Sequence, residues 1–187
     1  MATERALVAL ARLLTPPLER VLNSRPVRRR LQRRALAAWD AAAEPLVLCY
    51  GNINRSPFAV ALVRARTSAR PRSSGLYPRT GRAASQAARE EATRRGASLD
   101  AHRSTLVTRE ELRAAEAIFV FDLENAARLA RMLPAALAKT HLFATLAPEG
   151  APVVVDPHGR GPRVAAEVFA RIAAIVDALA SRPMPPR

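Results

Sequence analysis

The chain of 187 residues reads as an α/β protein, a parallel sheet flanked by helices, behind a helical N-terminal extension. Three observations lead there. From Leu46 onward, short apolar runs alternate with helical patterns, the order that builds parallel strands joined by crossover helices. Apolar residues make up 49% of the chain but aromatics only 4%, which favours alanine-rich helical packing over an all-β sandwich. Cys49, Ser73 and Asp122 fall at the carboxyl ends of expected strands, where open parallel sheets bind ligands.

The elements follow in order. Residues 1–44 form an Arg-rich helical extension. Glu4 to Leu14 suits an amphipathic helix with Leu7, Leu10, Leu13 and Leu14 on one face, ended by Thr15-Pro16-Pro17. A second helix over about residues 27–43 carries Arg28, Arg29, Arg30, Arg33 and Arg34, with Trp39 further on. Such a segment suits weak contact with an anionic membrane surface, or packing on the domain or on a second copy with its arginines in solvent. Packing is the preferred reading. Glu44-Pro45 marks the boundary, and residues 45–187 form the main domain.

Within it, Leu46-Val47-Leu48-Cys49 is the first strand, and a helix runs from Pro57 to about Arg66, capped by Ser56. Arg72-Ser73-Ser74-Gly75 ends the second strand. A helix over about residues 83–95 closes at Gly96. Thr108-Arg109-Glu110-Glu111 has the cap and acidic first turn of a short helix. Ala117 to Phe121 is the clearest strand, with Asp122 at its end. Leu123 to Leu133 is helical and stops at Pro134. His141-Leu142-Phe143 is the fourth strand. A Pro/Gly-rich loop over 147–162 contains Asp156-Pro157. The last helix spans about 163–180, its core face marked by Val164, Val168, Ile172, Ile175, Val176 and Leu179.

Composition narrows the function. The formal net charge is +14, almost all from arginine, with Lys139 the single lysine. Codon bias in a GC-rich genome raises Arg, Ala and Pro together and accounts for this better than polyanion binding does. No RNP-like aromatic motif, zinc pattern or basic heptad appears, so no specific nucleic-acid partner is expected. One cysteine excludes an internal disulfide and a Cys-based zinc cluster, and it fits a reducing compartment. No apolar run reaches the roughly 20 residues of a membrane span. Arg12 interrupts the apolar start, which argues against a signal peptide. A cytoplasmic protein without metal or cofactor is expected.

The informative stretch is Cys49-Tyr50-Gly51-Asn52-Ile53-Asn54-Arg55-Ser56-Pro57. Strand, loop and helix N-terminus together gather backbone N–H groups around an anion. A helix N-terminus and a nearby cation favour the thiolate form of a cysteine, and the Ser56 hydroxyl can donate to the sulfur. Such a nucleophile attacks a phosphorus held in the same cradle. Arg55 offers two parallel donors to two phosphoryl oxygens. Five residues between Cys49 and Arg55 let the loop curl once, with Gly51 and Asn52 suited to left-handed backbone positions. A lone cysteine after a buried strand is more often an inert small hydrophobe. The full run, placed between strand and helix, is specific enough to outweigh that reading.

This run resembles the phosphate-binding loop of the low-molecular-weight protein tyrosine phosphatases. The resemblance covers roughly residues 45–181. It takes in Ser73-Ser74-Gly75, the segment from Gly96 to Ser104, Phe121-Asp122 and Asp156-Pro157-His158-Gly159. It implies a four-stranded parallel sheet of flavodoxin-like type and hydrolysis of phosphotyrosine in protein substrates. Phosphate-like anions would bind the loop residues Tyr50, Gly51, Asn52, Ile53 and Asn54. By the same resemblance Cys49 matches the nucleophile, Arg55 the phosphate-binding arginine and Asp156 the general acid and base. Asn52, Ser56, Ser73 and His102 match a polar network that shapes the loop.

Two departures stand out. Many relatives carry a second cysteine in the loop where this chain has Asn54, so Cys49 lacks that protective partner against over-oxidation. Many also place a tyrosine after Asp-Pro to wall the substrate groove, where His158-Gly159 stands here; Tyr50 offers an aromatic wall from the other side. Two other functions compete. An arsenate reductase of the same fold would need an external thiol, because one cysteine cannot run an intramolecular relay. Against a phosphate-binding regulatory module stand the intact Cys49, Arg55 and Asp156, the set that a working enzyme needs.

Overall fold

The computed structural model describes residues 20–183 together with residues 9, 13, 17 and 18. Apart from two isolated positions, the helix expected over Glu4 to Leu14 lies outside the described residues. The sheet has four parallel strands, β1 (Leu46–Cys49), β2 (Arg72–Gly75), β3 (Ile118–Val120) and β4 (Thr140–Leu142), in the spatial order β2-β1-β3-β4. The helices are α1 (Arg25–Ala41), α2 (Arg55–Arg66), α3 (Gln86–Arg94), α4 (Arg109–Ala114), α5 (Leu123–Met132) and α6 (Gly161–Ala180). Short 3-10 turns at Pro134–Lys139 and Phe143–Leu146 flank β4.

Both faces of the sheet are covered, which is why β1 reads as an unbroken apolar run. Val47, Cys49, Phe119 and Phe121 face one core with α1, α2, α3 and α6. Leu46, Leu48, Ile118 and Val120 face the other, with Leu112 of α4 and Leu129 of α5. The register places Val47 opposite Ser73 on one side and Phe119 on the other.

Local chemistry closes the helices. Thr108 and Glu111 form a reciprocal capping box on α4. Gly96, at φ +75°, takes the left-handed position just past α3. α3 starts later than expected because Ser85 is its cap, accepting from Ala88 N at 3.1 Å. The expected cap at Ser56 is also corrected. α2 begins at Arg55 with Asn54 in the cap position, and the Ser56 hydroxyl is used elsewhere, against Cys49 and Asn52.

α1 packs on the domain. Ala35 and Trp39 lie in the main core, and the Trp39 ring meets Phe119 at 5.0 Å and Phe143 at 6.3 Å, both edge-on. Arg29, Arg30, Arg33 and Arg34 are exposed, as expected of this helix face. Arg28 departs from them and is only 5% exposed. No helix among the described residues is long and apolar enough to cross a membrane.

Candidate active site

In a sheet ordered β2-β1-β3-β4, the chain steps outward from β1 to β2 and then crosses back past β1 to β3, so the crossovers reverse direction there. The crevice beyond the carboxyl ends of β1 and β3 is the switch point where doubly wound sheets bind ligands. Cys49 ends β1, and Asp122 follows β3 to cap α5, accepting from Asn125 N at 2.6 Å. The nonapeptide loop fills the space between β1 and α2.

The curl of this loop rests on Asn52, the only non-glycine residue with positive φ (49°) among the described residues. Asparagine tolerates this conformation better than other residues with a Cβ. Gly51 does not share it, contrary to expectation: its φ lies outside the positive range. A Cβ there would meet Arg82 Nη2 at 3.4 Å, an ordinary contact. Glycine is needed instead at Gly75, where an added Cβ would lie 3.0 Å from both Asn52 Cβ and Thr105 O.

Asn52 is fully buried and binds in every direction. Its N–H donates to Cys49 Sγ at 3.2 Å. Nδ2 donates to Ser56 Oγ at 2.9 Å and Ser73 Oγ at 3.1 Å, and Oδ1 accepts from Thr105 N at 3.0 Å. Its carbonyl accepts from His102 Nε2 at 2.8 Å, which assigns the proton of neutral His102 to that nitrogen. Burial pushes the His102 pKa down, partly offset by this bond and reinforced by Arg103. Because Ser56 Oγ receives the Asn52 amide, its own hydrogen is free for Cys49 Sγ, 3.1 Å away. The sulfur therefore meets two donors.

Arg55 is 1% exposed and sits between two carboxylates. Its Nη1 donates to Asp122 Oδ2 at 2.5 Å and to Val154 O at 2.9 Å, and its Nη2 lies 2.8 Å from Asp156 Oδ2. Burial, the largest influence on its pKa, works against the charge, but Asp122, Asp156 and Cys49 outweigh it and the pKa is raised. Its buried Nε has no acceptor among the described residues. Asp156 stands in an Asx turn, Oδ1 accepting from His158 N at 3.2 Å, and is about one-third exposed.

The structure thus brings Cys49, Asn52, Arg55, Ser56, Ser73, His102 and Asp156 into one site. Asn54 and Ile53 tie the loop to α3: Ser85 Oγ donates to Asn54 Oδ1 at 2.5 Å, and Ser85 N donates to Ile53 O at 2.9 Å. Tyr50 accepts at its carbonyl from Leu76 N and Tyr77 N, both at 2.9 Å, and its ring meets the Tyr77 ring at 5.1 Å. Arg128 lies over Tyr50 at 4.3 Å and Arg82 over Tyr77 at 5.2 Å, a stacked wall of cations and rings beside the loop. Sequence reasoning missed Tyr77, Arg82 and Thr105, which carry no local signal, and Ser85, whose only signal is that of a helix cap. Asp122 has one, its place at a strand end, but nothing local to it points to Arg55. His158 is exposed.

Chemically, the site offers a sulfur held by donors, a buried guanidinium with a donor to spare, and a carboxylate paired with that guanidinium. The family described as low molecular weight phosphotyrosine protein phosphatase matches residues 45–182. The chain is 32% identical over 99 residues to the low molecular weight protein-tyrosine-phosphatase Etp of Escherichia coli (strain K12), covering 52% of this chain and 67% of Etp. Among solved structures it is similar to the tyrosine phosphatase AmsI of Erwinia amylovora, with a TM-score of 0.68 and 26% identity over 75% of this chain and 95% of that one. It is also similar to the YwlE arginine phosphatase of Geobacillus stearothermophilus, with a TM-score of 0.66 and 25% identity over 74% and 90%.

Proposed function

The chain belongs to the low molecular weight phosphotyrosine protein phosphatase family, and from that premise we propose that it hydrolyses phosphotyrosine in proteins through a phosphocysteine intermediate on Cys49. The Cys49 sulfur attacks phosphorus, the bond to the phenolic oxygen breaks, and Asp156 gives that oxygen a proton. Water then attacks the phosphocysteine, Asp156 takes up a proton, and phosphate leaves with the thiolate restored. Arg55 and the loop N–H groups hold the three equatorial oxygens and their charge, so the reaction needs no metal.

The observation that carries this reading is the convergence on one crevice of Cys49 Sγ, with Asn52 N–H and Ser56 Oγ upon it, and Arg55, with Asp156 at 2.8 Å. The choice of phosphotyrosine over phosphoarginine is supported by the Tyr50–Tyr77 wall, which suits an aromatic leaving group. Arg82 and Arg128, stacked on those rings, would repel the guanidinium of a phosphoarginine. The exposed arginines and the charge of +14 favour acidic protein partners by steering. A cytoplasmic setting accords with the single cysteine kept as a thiol.

Hydrolysis of p-nitrophenyl phosphate and of matched phosphotyrosyl and phosphoarginyl peptides tests the reading. Cys49→Ser should abolish turnover while vanadate still binds, and the phosphotyrosyl peptide should be preferred. Full activity in Cys49→Ser would overturn the mechanism. Preference for the phosphoarginyl peptide would overturn the substrate assignment.

A further inference from the structure

The segment that delivers Asp156 has little backbone bonding of its own. Among the described residues, one main-chain bond ties residues 147–156 to the rest of the fold, Val154 N to Phe121 O at 2.8 Å. Three guanidinium groups instead take up carbonyls of this segment and of the turn just before it. Arg28 Nη2 donates to Ala144 O at 2.8 Å, Ala147 O at 2.7 Å and Glu149 O at 3.3 Å. Arg171 Nη2 donates to Glu149 O at 2.7 Å and Ala151 O at 3.4 Å. Arg55 Nη1 holds Val154 O, two residues before the acid.

Of these, Arg28 is the unexpected one, because α1 lies outside residues 45–182 that match the family. For stability alone, its placement is poor. Its Nε and Nη1 are buried without an acceptor, and Arg171, another cation, shares the Glu149 carbonyl with it. Burial and Arg171 push the Arg28 pKa down, and burial does the same to Arg171. An apolar side chain of similar volume would fill the position without burying a cation beside another. What the guanidinium adds is a hold on three carbonyls at the root of the acid-bearing loop.

We propose that Arg28 is a positioning residue for Asp156: from outside the family domain, α1 fixes the root of the 147–156 loop and thereby the placement of the general acid. The proposal rests on Asp156 being that acid. Removing the Arg28 donors leaves the Arg171 and Arg55 anchors, so the loop stays attached but its root is released. A shift of about 1 Å at a reacting group can cost as much as a hundredfold in rate.

The test uses the full chain and reads kcat/KM for two esters. Phenyl phosphate has a poor leaving group that needs a proton, and 2,4-dinitrophenyl phosphate has one that does not. Arg28→Met should lower kcat/KM for phenyl phosphate by on the order of tenfold and leave 2,4-dinitrophenyl phosphate within about twofold, against the 10²–10⁴ that general acids contribute. Vanadate inhibition should stay unchanged, which also certifies a folded loop. Arg171→Met should behave alike. In an Asp156→Asn background, Arg28→Met should have no further effect on phenyl phosphate.

Equal losses for both esters, or a loss that persists in Asp156→Asn, overturn the proposal. If Arg28→Met does not fold, Arg28→Gln carries the same comparison with most of the donors removed. Failure of the catalytic reading is separately visible: Cys49→Ser would stay active, or Asp156→Asn would slow both esters alike.

Discussion

Replacing Asn52 with alanine removes three side-chain hydrogen bonds, to Ser56, Ser73 and Thr105, and leaves a β-carbon at φ 49°. The two serine hydroxyls can turn to other partners, but Thr105 N–H cannot. Bonds of this kind contribute about 1 kcal/mol each, and an orphaned buried donor costs about 1–3 kcal/mol. The left-handed conformation costs an ordinary L-residue about 1–2 kcal/mol. With the serines re-partnered, the orphaned donor and the backbone cost predict a loss of roughly 2–5 kcal/mol for Asn52→Ala. Asn52→Gly loses the same bonds but not the backbone preference, and should be about 1 kcal/mol milder. Guanidinium unfolding followed by the fluorescence of Trp39, the single tryptophan and 5% exposed, measures both. A loss below about 1 kcal/mol for alanine would refute the network as the holder of the loop. Equal losses for alanine and glycine would refute the backbone contribution.

Two further outcomes follow from other parts of the molecule. Burial holds the pKa values of both His102 and His141 below normal in the folded state, with Arg103 and Arg34 respectively adding to it. The unfolded chain therefore binds more protons below the ordinary histidine pKa of about 6.5, so the stability is present in full above that pH and is lost as pH falls through it. Denaturant midpoints should drop between about pH 7 and 5.5 and flatten in the His102→Gln, His141→Gln double variant; a wild type more stable at the lower pH would contradict the assignment. Trp39→Ala should cost roughly 3–5 kcal/mol, measured by circular dichroism, because the ring leaves a cavity between α1 and the sheet. A loss under about 1 kcal/mol would mean that α1 contributes nothing to the core.

Elements whose signals are local were legible in advance. β1 ends at Cys49 and β2 spans Arg72–Gly75 as the apolar run and the Ser-Ser-Gly stop imply, and Thr108-Arg109-Glu110-Glu111 closes its capping box within four residues. The structure departs from the local pattern where a side chain has a claimant outside its own helix. Ser56 has the residue type of a cap, but Cys49 and Asn52 occupy its hydroxyl, so the helix starts earlier. Arg28 sits in a run of arginines that reads as a solvated face. Helix phase turns it inward, beside Ala35 and Trp39, onto the carbonyls of a loop 116 residues away.

The Cys49–Pro57 loop is legible from local chain chemistry: Cys49 and Arg55 lie within one turn of chain, and the backbone preference of Asn52 suits the curl. Tertiary structure alone decided which groups surround it. Asp122 reaches Arg55 across 67 residues because β1 and β3 are neighbours in the sheet, and Asp156 reaches it because Val154 is held against Phe121 and Arg55. Pairing of buried charges depends on distances of a few ångströms, and those are set by strand order and packing rather than by any local pattern of residues.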